Sequence, residues 1–196
     1  MISGILLAAG ESRRMGSPKA LLRYQGQTFI ERICTAFLSA GVDELVVVLG
    51  AHAEILRPAL PPHPALRTVV NPRYFQGQLS SLMVGIGALS PDSEAAVVNL
   101  VDHPLVSAET IKALIDSFRA APLPILIASY QGRRGHPVLF SGQVYGEILA
   151  APLDQGAKVV VRKDPARVRE VQLDDPGILA DIDTPEDYER YVGRAK

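Results

Sequence analysis

The segment that follows the first apolar run of the chain gathers residues suited to binding a phosphate chain. Residues 6–22 read LLAAGESRRMGSPKALL, with Gly10 and Gly16 on either side of Ser12. Glycine lets the backbone approach a ligand closely, exposed amides donate hydrogen bonds, and Arg14 and Lys19 would neutralise polyphosphate oxygens. We interpret this first loop, residues 10–19, as a cradle for a triphosphate. The alternative is an ordinary strand-to-helix turn that carries surface cations.

Two common phosphate-binding patterns do not fit this loop. The nucleotide-kinase pattern has four residues between its glycines and a lysine directly after the second. Here five residues separate Gly10 from Gly16, and Lys19 comes three positions later. The dinucleotide pattern GxGxxG also fails, because Ser12 stands where its second glycine belongs. The loop therefore provides the chemistry of a phosphate site without either of these signatures.

Acidic residues that follow apolar runs are candidates for a metal site. Asp102 comes directly after the run 96–101, and Asp181 and Asp183 follow a short apolar run near the C-terminus. Mg²⁺ prefers oxygen ligands, and one or two carboxylates plus substrate phosphates suffice to bind it. We predict Asp102 and Asp183 as ligands and Asp181 as the alternative, and we expect only one of the two C-terminal acids to point at the site. An Asx-turn and a helix start are the non-catalytic interpretations.

Composition limits the classes of protein to which the chain can belong. Its 196 residues, 47% apolar and 21% charged, predict one soluble domain spanning 1–196. Twenty basic and 21 acidic residues give a net charge of −1, which argues against a nucleic-acid partner. The single Cys34 excludes an intrachain disulfide and is expected to be a buried small hydrophobe. With no basic segment before the first apolar run and no run of about 20 apolar residues, we expect a cytoplasmic protein without membrane contact.

The positions of strands and helices follow from apolar runs and capping residues. We predict strands, the main ones buried on both faces, at Gly4–Ala9, Leu45–Leu49, Arg67–Val70, Ala96–Val101, Ile125–Ser129 and Val168–Leu173. Helices are predicted to start at Thr28 (a capping box with Glu31, and an end at Gly41), at Ser107, and at Thr184 (followed by Pro185, to about Tyr191).

This alternation predicts an α/β fold with three layers: a mostly parallel central sheet with helices on both faces. In such sheets, ligands bind beyond the carboxyl ends of the strands. The first loop and Asp102 both follow strands, so we expect them to meet at that edge.

The motif Leu7-Ala8-Ala9-Gly10-x-Ser12-x-Arg14-Met15-Gly16-x-x-Lys19 resembles the signature of the sugar-phosphate-type nucleotidyltransferases. Over nearly its whole length the chain is similar to the molybdenum cofactor cytidylyltransferases, in a group that also contains guanylyl-transferring relatives. The resemblance implies a Rossmann-like nucleotidyltransferase fold. It also implies nucleotide contacts from Leu7, Ala8, Ala9, Gly10, Ser12, Arg14, Gly16, Lys19, Asn71, Gly77 and Ser81.

The activity implied by this resemblance is nucleotidyl transfer with Mg²⁺ bound by Asp102 and the C-terminal acid. A terminal phosphate on the acceptor attacks the α-phosphorus of CTP, and pyrophosphate leaves. Arg14, Lys19 and Asp102 are the implied catalytic residues. Because a phosphate monoester is already a charged nucleophile, positioning and charge neutralisation carry the catalysis, and no strong general base is required.

A second motif selects the branch within this group. Gly135-His136-Pro137 matches a motif of the cytidylyl enzymes, in which His136 would contact the pterin acceptor or its phosphate. The neighbouring Arg133 and Arg134 would attract an anionic pterin. A hairpin tip with solvated arginines is the alternative interpretation. The implied partners are CTP, molybdopterin or the molybdenum cofactor, and a molybdoenzyme or its chaperone.

Ala9 is the candidate for base selection, because guanylyl-transferring relatives commonly have glycine at this position. A methyl group there would shrink the pocket and favour a pyrimidine. Three alternatives stay open at this point: a guanylyltransferase, an enzyme that acts on a sugar or polyol phosphate, and a non-catalytic nucleotide- or cofactor-binding chaperone.

Overall fold

Nine strands and seven α-helices make up the computed structural model, which describes residues 1–193. In chain order the strands are β1 (Ile2–Ala8), β2 (Arg23–Tyr24), β3 (Gln27–Thr28), β4 (Glu44–Leu49), β5 (Leu66–Val70), β6 (Ala95–Leu100), β7 (Ile125–Tyr130), β8 (Arg133–Ser141) and β9 (Val168–Gln172). The helices are α1 (Phe29–Ser39), α2 (Ala53–Leu56), α3 (Gln78–Gly87), α4 (Ala108–Ala120), α5 (Tyr145–Leu149), α6 (Lys158–Arg162) and α7 (Pro185–Tyr191).

Seven of the strands form one central sheet in the order β5-β4-β1-β6-β8-β7-β9. Strand β1 is parallel to both β4 and β6, and β7 is parallel to β9, whereas β8 runs antiparallel to its two neighbours. Short β2 and β3 form a separate hairpin. The predicted α/β fold with a mostly parallel sheet is therefore confirmed.

The two faces of the sheet are covered by different helices. Alternate residues of β1 point to opposite faces, so Leu6 packs in the core cluster with Ile33 of α1 and Ile111 of α4. Ile5 packs on the other face with Leu82 of α3. Each such fully buried aliphatic side chain contributes roughly 1.5–3 kcal/mol relative to exposure. The parallel pairing of β1 with β6 places their carboxyl ends side by side in this buried sheet.

The predicted helix starts are confirmed. Thr28 accepts a hydrogen bond from the amide of Glu31, whose side chain reciprocates in a capping box, and Ser107 caps α4 by accepting from the amide of Thr110. Thr184 likewise forms a capping box with Asp187 at the start of α7. Cys34, on the buried face of α1, is fully inaccessible, as predicted.

Two sequence expectations about strands were wrong. Strands β5 and β9 lie at the edges of the sheet, so their residues are partly exposed rather than buried on both faces. Strand β8 was not predicted, because its first half, Arg133–Pro137, has the composition of a turn. The turn itself lies at Gln131 and Gly132, both with positive φ.

Every helix within residues 1–193 is too short or too polar to cross a membrane.

Candidate functional site

The first loop has a fixed backbone conformation that depends on its small residues. Ser12 and Gly16 both adopt left-handed conformations, with φ of 53° and 69°. The Ser12 Oγ accepts a hydrogen bond from the backbone amide of Lys19, with an N–O distance of 3.0 Å. This bond ties the two ends of the loop together and directs Lys19 inward.

The loop lies where the strand order changes direction. From β1 the chain builds β4 and β5 on one side and then β6 on the other, so the carboxyl ends of β1 and β6 border a crevice. A cavity of about 530 Å³ occupies it. Its wall consists of Leu7, Ala9, Gly10, Glu11, Ser12, Arg13, Arg14, Lys19, Tyr74, Phe75, Gly77, Gln78, Ser81, Leu100, Val101 and Asp102. We call this space the first cavity.

Lys19 is the buried cation of the first cavity, with 8% of its surface exposed. Its Nζ donates to Asp183 Oδ1 and lies 3.9 Å from Asp102 Oδ2. Arg14 pairs with the second oxygen of Asp183, with an Nη2–Oδ2 distance of 2.6 Å. The structure therefore brings together all four side chains that the sequence assigned to catalysis and metal binding.

A backbone contact explains how the C-terminal acids reach the site. The amide of Ile182 donates to the carbonyl of Asp102 over 2.9 Å, while the Ile182 side chain is buried against Phe29. Both Asp181 and Asp183 are thereby held beside Asp102. The expectation that only one would face the site was wrong, because residues two apart on an extended segment share a face, and Ile182 between the two acids is the buried residue.

The three carboxylates have different electrostatic environments. Burial, together with the charge of Asp181, raises the pKa of Asp102 to about 6, although Lys19 opposes the shift. Burial and the charge of Asp183 also raise the pKa of Asp181. For Asp183 burial acts in the same direction, but Lys19 and Arg14 outweigh it and hold its pKa below the usual value. Lys19 and Arg14 compensate the negative charge of Asp183 by direct pairing, whereas the charges of Asp102 and Asp181 are less well compensated.

These residues provide a donor set that suits a divalent cation. One ligand atom each from Asp102, His103 and Asp181 lie within 4.8 Å of one another. Within residues 1–193, Asp102 Oδ1 is buried without a hydrogen-bond partner. A bound cation would satisfy that oxygen and offset the repulsion between the acids.

The segment 71–81 borders the first cavity, but its residues have different roles. Gly77, with φ of 98°, and Ser81 line the cavity. Asn71 is buried behind them, where its Nδ2 donates to the hydroxyls of Ser80 and Ser81. Asn71 therefore positions the turn rather than lining the cavity. Ala8 points into the core, and Gly16 shapes the loop without lining the cavity.

Comparison with known proteins decides the family of this chain. The MobA-like NTP transferase domain family matches residues 4–170. The chain belongs to this family.

Relatives of this MobA-like domain carry different functional names. The chain is 35% identical over 202 aligned residues to nicotine blue oxidoreductase of Paenarthrobacter nicotinovorans, and the match covers 97% of this chain and 96% of that protein. The chain is 30% identical over 194 residues to the purine catabolism protein PucB of Bacillus subtilis, and the match covers 95% of this chain and 93% of that protein. A probable molybdenum cofactor guanylyltransferase of Bacillus cytotoxicus is 34% identical over 131 residues, 64% of this chain and 62% of that protein.

A solved relative contains a metal. The structure of Rv0371C from Mycobacterium tuberculosis in complex with manganese superposes with a TM-score of 0.80 at 31% identity, covering 98% of this chain and 97% of that one. The family match and these relatives identify the chain as a nucleotidyltransferase of the MobA-like type.

The MobA-like domain has a second cavity, of about 600 Å³, next to the first. The two share Leu7, Gln78 and Leu100 as common wall. His136 and Arg134 line the second cavity, and Arg133 is not part of its wall. Gly135 packs against the carbonyl of Ile178, where a Cβ would clash. Buried Pro137 continues β8, so the predicted acceptor motif is a strand rather than a hairpin tip.

Sequence reasoning missed several residues of this MobA-like site. Tyr74 and Phe75 border the first cavity, and Phe75 is 71% exposed. His52 forms a hydrogen bond with the carbonyl of Glu11 and so supports the first loop. Tyr74 and Phe75 form an aromatic pair close to Gly77 in the sequence, and this proximity could have predicted that they border the nucleotide site. No sequence signal pointed to His52.

Proposed function

We propose that this protein transfers CMP from CTP to the terminal phosphate of molybdopterin or the molybdenum cofactor, with release of pyrophosphate and dependence on a divalent cation. The observation that carries the proposal is the meeting of the two cavities at the carboxyl ends of β1 and β6. The first has the cations and carboxylates for a triphosphate, and the second has room for an acceptor.

The chemistry follows from the residues of the first cavity. An oxygen of the acceptor phosphate forms a bond to the α-phosphorus, the bond from that phosphorus to the β-phosphate bridging oxygen breaks, and pyrophosphate leaves with the electron pair. Lys19 and Arg14 stabilise the negative charge that accumulates on the phosphates. Gly10 and Gly16 allow the backbone of the first loop to approach the ligand closely. The main-chain amides of the loop can then donate hydrogen bonds that orient the triphosphate.

Asp102 would hold the divalent cation together with a C-terminal acid, and the bound cation would neutralise phosphate charge. The sequence favoured Asp183 as the second ligand. The contacts favour Asp181, since Lys19 and Arg14 already occupy both oxygens of Asp183. The manganese complex of the Mycobacterium tuberculosis relative supports a divalent ion in this family.

The second cavity has the chemistry of an acceptor with a flat ring system and anionic groups. Its walls include Leu79, Ile127 and Phe140. Three basic residues and one acidic residue also line the cavity. These charged residues are Arg134, Lys158, Arg162 and Asp154. Apolar walls would contact the pterin rings, and the cations would attract its dithiolene sulfurs while the phosphate reaches the first cavity.

Base selection in this proposal depends on Ala9. Ala9 lines the first cavity and packs closely against Gly50, the residue after β4. In this proposal its methyl group reduces the space for the base, which would favour cytosine over guanine.

The oxidoreductase name of one relative raises a redox alternative. The first loop lacks the dinucleotide signature, because Ser12 replaces its second glycine. Buried Lys19 between carboxylates instead suits phosphate transfer. We therefore favour nucleotidyl transfer.

Pyrophosphate release tests this proposal. The purified protein is incubated with Mg²⁺ or Mn²⁺, with each of the four nucleoside triphosphates, and with isolated molybdopterin or molybdenum cofactor. Release that requires both CTP and the cofactor supports the proposal. Release with GTP, or with a sugar or polyol phosphate as acceptor, would replace it with a sibling activity. Nucleotide binding without release would indicate a chaperone.

A further inference from the structure

His103 is the one nitrogen donor of the candidate metal cluster within residues 1–193. It directly follows Asp102, and only 7% of its surface is exposed. Its Nε2 lies 4.0 Å from Asp102 Oδ1, and a ligand atom of Asp181 completes a group within 4.8 Å. Two oxygens and an imidazole nitrogen at these separations can converge on one ion after small side-chain rotations.

The His103 ring is held in place by its neighbours. The ring of His136 packs against it with a centroid distance of 4.9 Å. Asn99 Nδ2 donates to the backbone carbonyl of His103 over 3.3 Å. A side chain fixed in this way loses little further conformational freedom when it binds an ion.

Two buried atoms of the cluster lack partners in the described part of the chain. Asp102 Oδ1 and His103 Nδ1 are both inaccessible and make no hydrogen bond. A buried polar atom without a hydrogen-bond partner destabilises the folded protein. Protein groups within residues 1–193 do not satisfy Asp102 Oδ1, whereas an ion bound at the cluster would bind this oxygen directly.

The two C-terminal acids are engaged differently. Both oxygens of Asp183 pair with cations, Lys19 and Arg14. Within residues 1–193 the Asp181 carboxylate makes no hydrogen bond or ion pair, so its oxygens remain available to an ion.

We propose that His103 supplies a nitrogen ligand, beside Asp102 and Asp181, to the divalent ion, and that the site therefore binds Mn²⁺ more tightly than Mg²⁺. Mg²⁺ prefers an all-oxygen set and dehydrates reluctantly, whereas transition ions accept imidazole. This inference rests on the metal-binding part of the proposed function but makes no assumption about the nucleotide or the acceptor.

Pulsed electron paramagnetic resonance of Mn²⁺ bound to the nucleotide-free protein tests the nitrogen ligand directly. The buffer contains neither imidazole nor amine. We expect ¹⁴N modulation of the Mn²⁺ echo in the wild-type protein and its loss in His103→Gln and His103→Leu. His63→Gln is the matched control, because His63 is exposed and its ring only accepts from the amide of Ala65. Circular dichroism establishes that each variant is folded.

Competition provides the second readout. Mg²⁺ is titrated against bound Mn²⁺, and we expect the preference for Mn²⁺ to fall about tenfold in the His103 variants, in line with the loss of one ligand contact. Bound Mn²⁺ without ¹⁴N modulation in the wild-type protein, modulation that survives in a folded His103 variant, or no Mn²⁺ binding at all would overturn the inference. The pyrophosphate assay judges the proposed function separately, since transfer can proceed with oxygen ligands alone.

Discussion

Lys19 Nζ donates to Asp183 Oδ1 across 164 positions of sequence. This ion pair joins the first loop to the segment before α7, and Arg14 reinforces it from the solvent side. A buried cation requires a compensating anion, so Asp183 stabilises Lys19 in its buried position and holds it at the first cavity. The ends of the chain thus meet at the proposed phosphate site.

Replacement of Lys19 by Met should lower kcat/KM for pyrophosphate release by about 10²–10³-fold, because one preorganised charge facing the phosphates is lost. Steady-state pyrophosphate release measures the effect. Lys112→Met is the matched control, since Lys112 is exposed and pairs with Asp116 on the surface of α4. Activity of Lys19→Met within a few-fold of wild type would remove Lys19 from the catalytic machinery.

Asp181→Asn and Asp183→Asn should have different effects. The first removes a proposed metal ligand and should weaken Mn²⁺ binding by about tenfold or more. The second removes the partner of Lys19 and Arg14, so it should raise the KM for CTP while it leaves Mn²⁺ binding to the free protein nearly unchanged. Equilibrium titration of Mn²⁺ and steady-state kinetics check both effects. The reverse pattern would restore Asp183 as the second ligand.

Ala9→Gly should shift the nucleotide preference from CTP towards GTP by about tenfold, because removal of one buried methyl group enlarges the pocket by an amount worth roughly 1–3 kcal/mol. The ratio of kcat/KM for the two nucleotides is measured with the same acceptor. Ala8→Gly, at a neighbouring residue that points into the core, is the control. An unchanged ratio in Ala9→Gly would count against base selection by this side chain.

The contribution of His136 to the stability of the metal-free protein should fall as the pH drops from about 6.5 towards 4. Burial lowers the pKa of His136 to about 4, from an ordinary value of 6.5. Between these values the unfolded chain binds a proton that the folded protein excludes, so acidification favours unfolding by up to about 1.4 kcal/mol per pH unit.

Urea unfolding at pH 7 and pH 5 in the presence of EDTA checks this pH dependence. His136→Gln should reduce the difference between the two pH values, and exposed His63→Gln should not. The same difference in wild type and His136→Gln would show that His136 contributes nothing to the acid sensitivity.

Local signals made much of the fold predictable. The capping residues Thr28, Ser107 and Thr184 act within one helical turn, and the apolar run of β1 buries both faces whatever its neighbours are. The pairing of strands that are distant in sequence is not indicated by any such local pattern. Strand β8 is stabilised by β6 and β7 on either side, which outweighs the turn-like composition around Gly135.

The candidate site was predictable where its residues follow a strand directly. The first loop and Asp102 come from the ends of β1 and β6, so the topology of a parallel sheet places them together. The shared direction of Asp181 and Asp183 was open to prediction, because residues two apart on an extended segment lie on one face. Their position beside Asp102 was not, because it depends on the long-range hydrogen bond from Ile182 to Asp102. The packing of His136 on His103 likewise joins residues from separate strand ends.

Transfer of the α-phosphate is the most direct test of the account. Wild-type protein is incubated with molybdopterin, Mn²⁺ or Mg²⁺, and CTP labelled with ³²P at either the α- or the γ-phosphate, and the products are separated chromatographically. We predict that the α label appears in a cofactor-linked CMP product, that the γ label appears only in pyrophosphate, and that Lys19→Met forms neither product at a comparable rate. If the α label stays in free nucleotide while molybdopterin remains unmodified, the proposed transfer between the two cavities is contradicted.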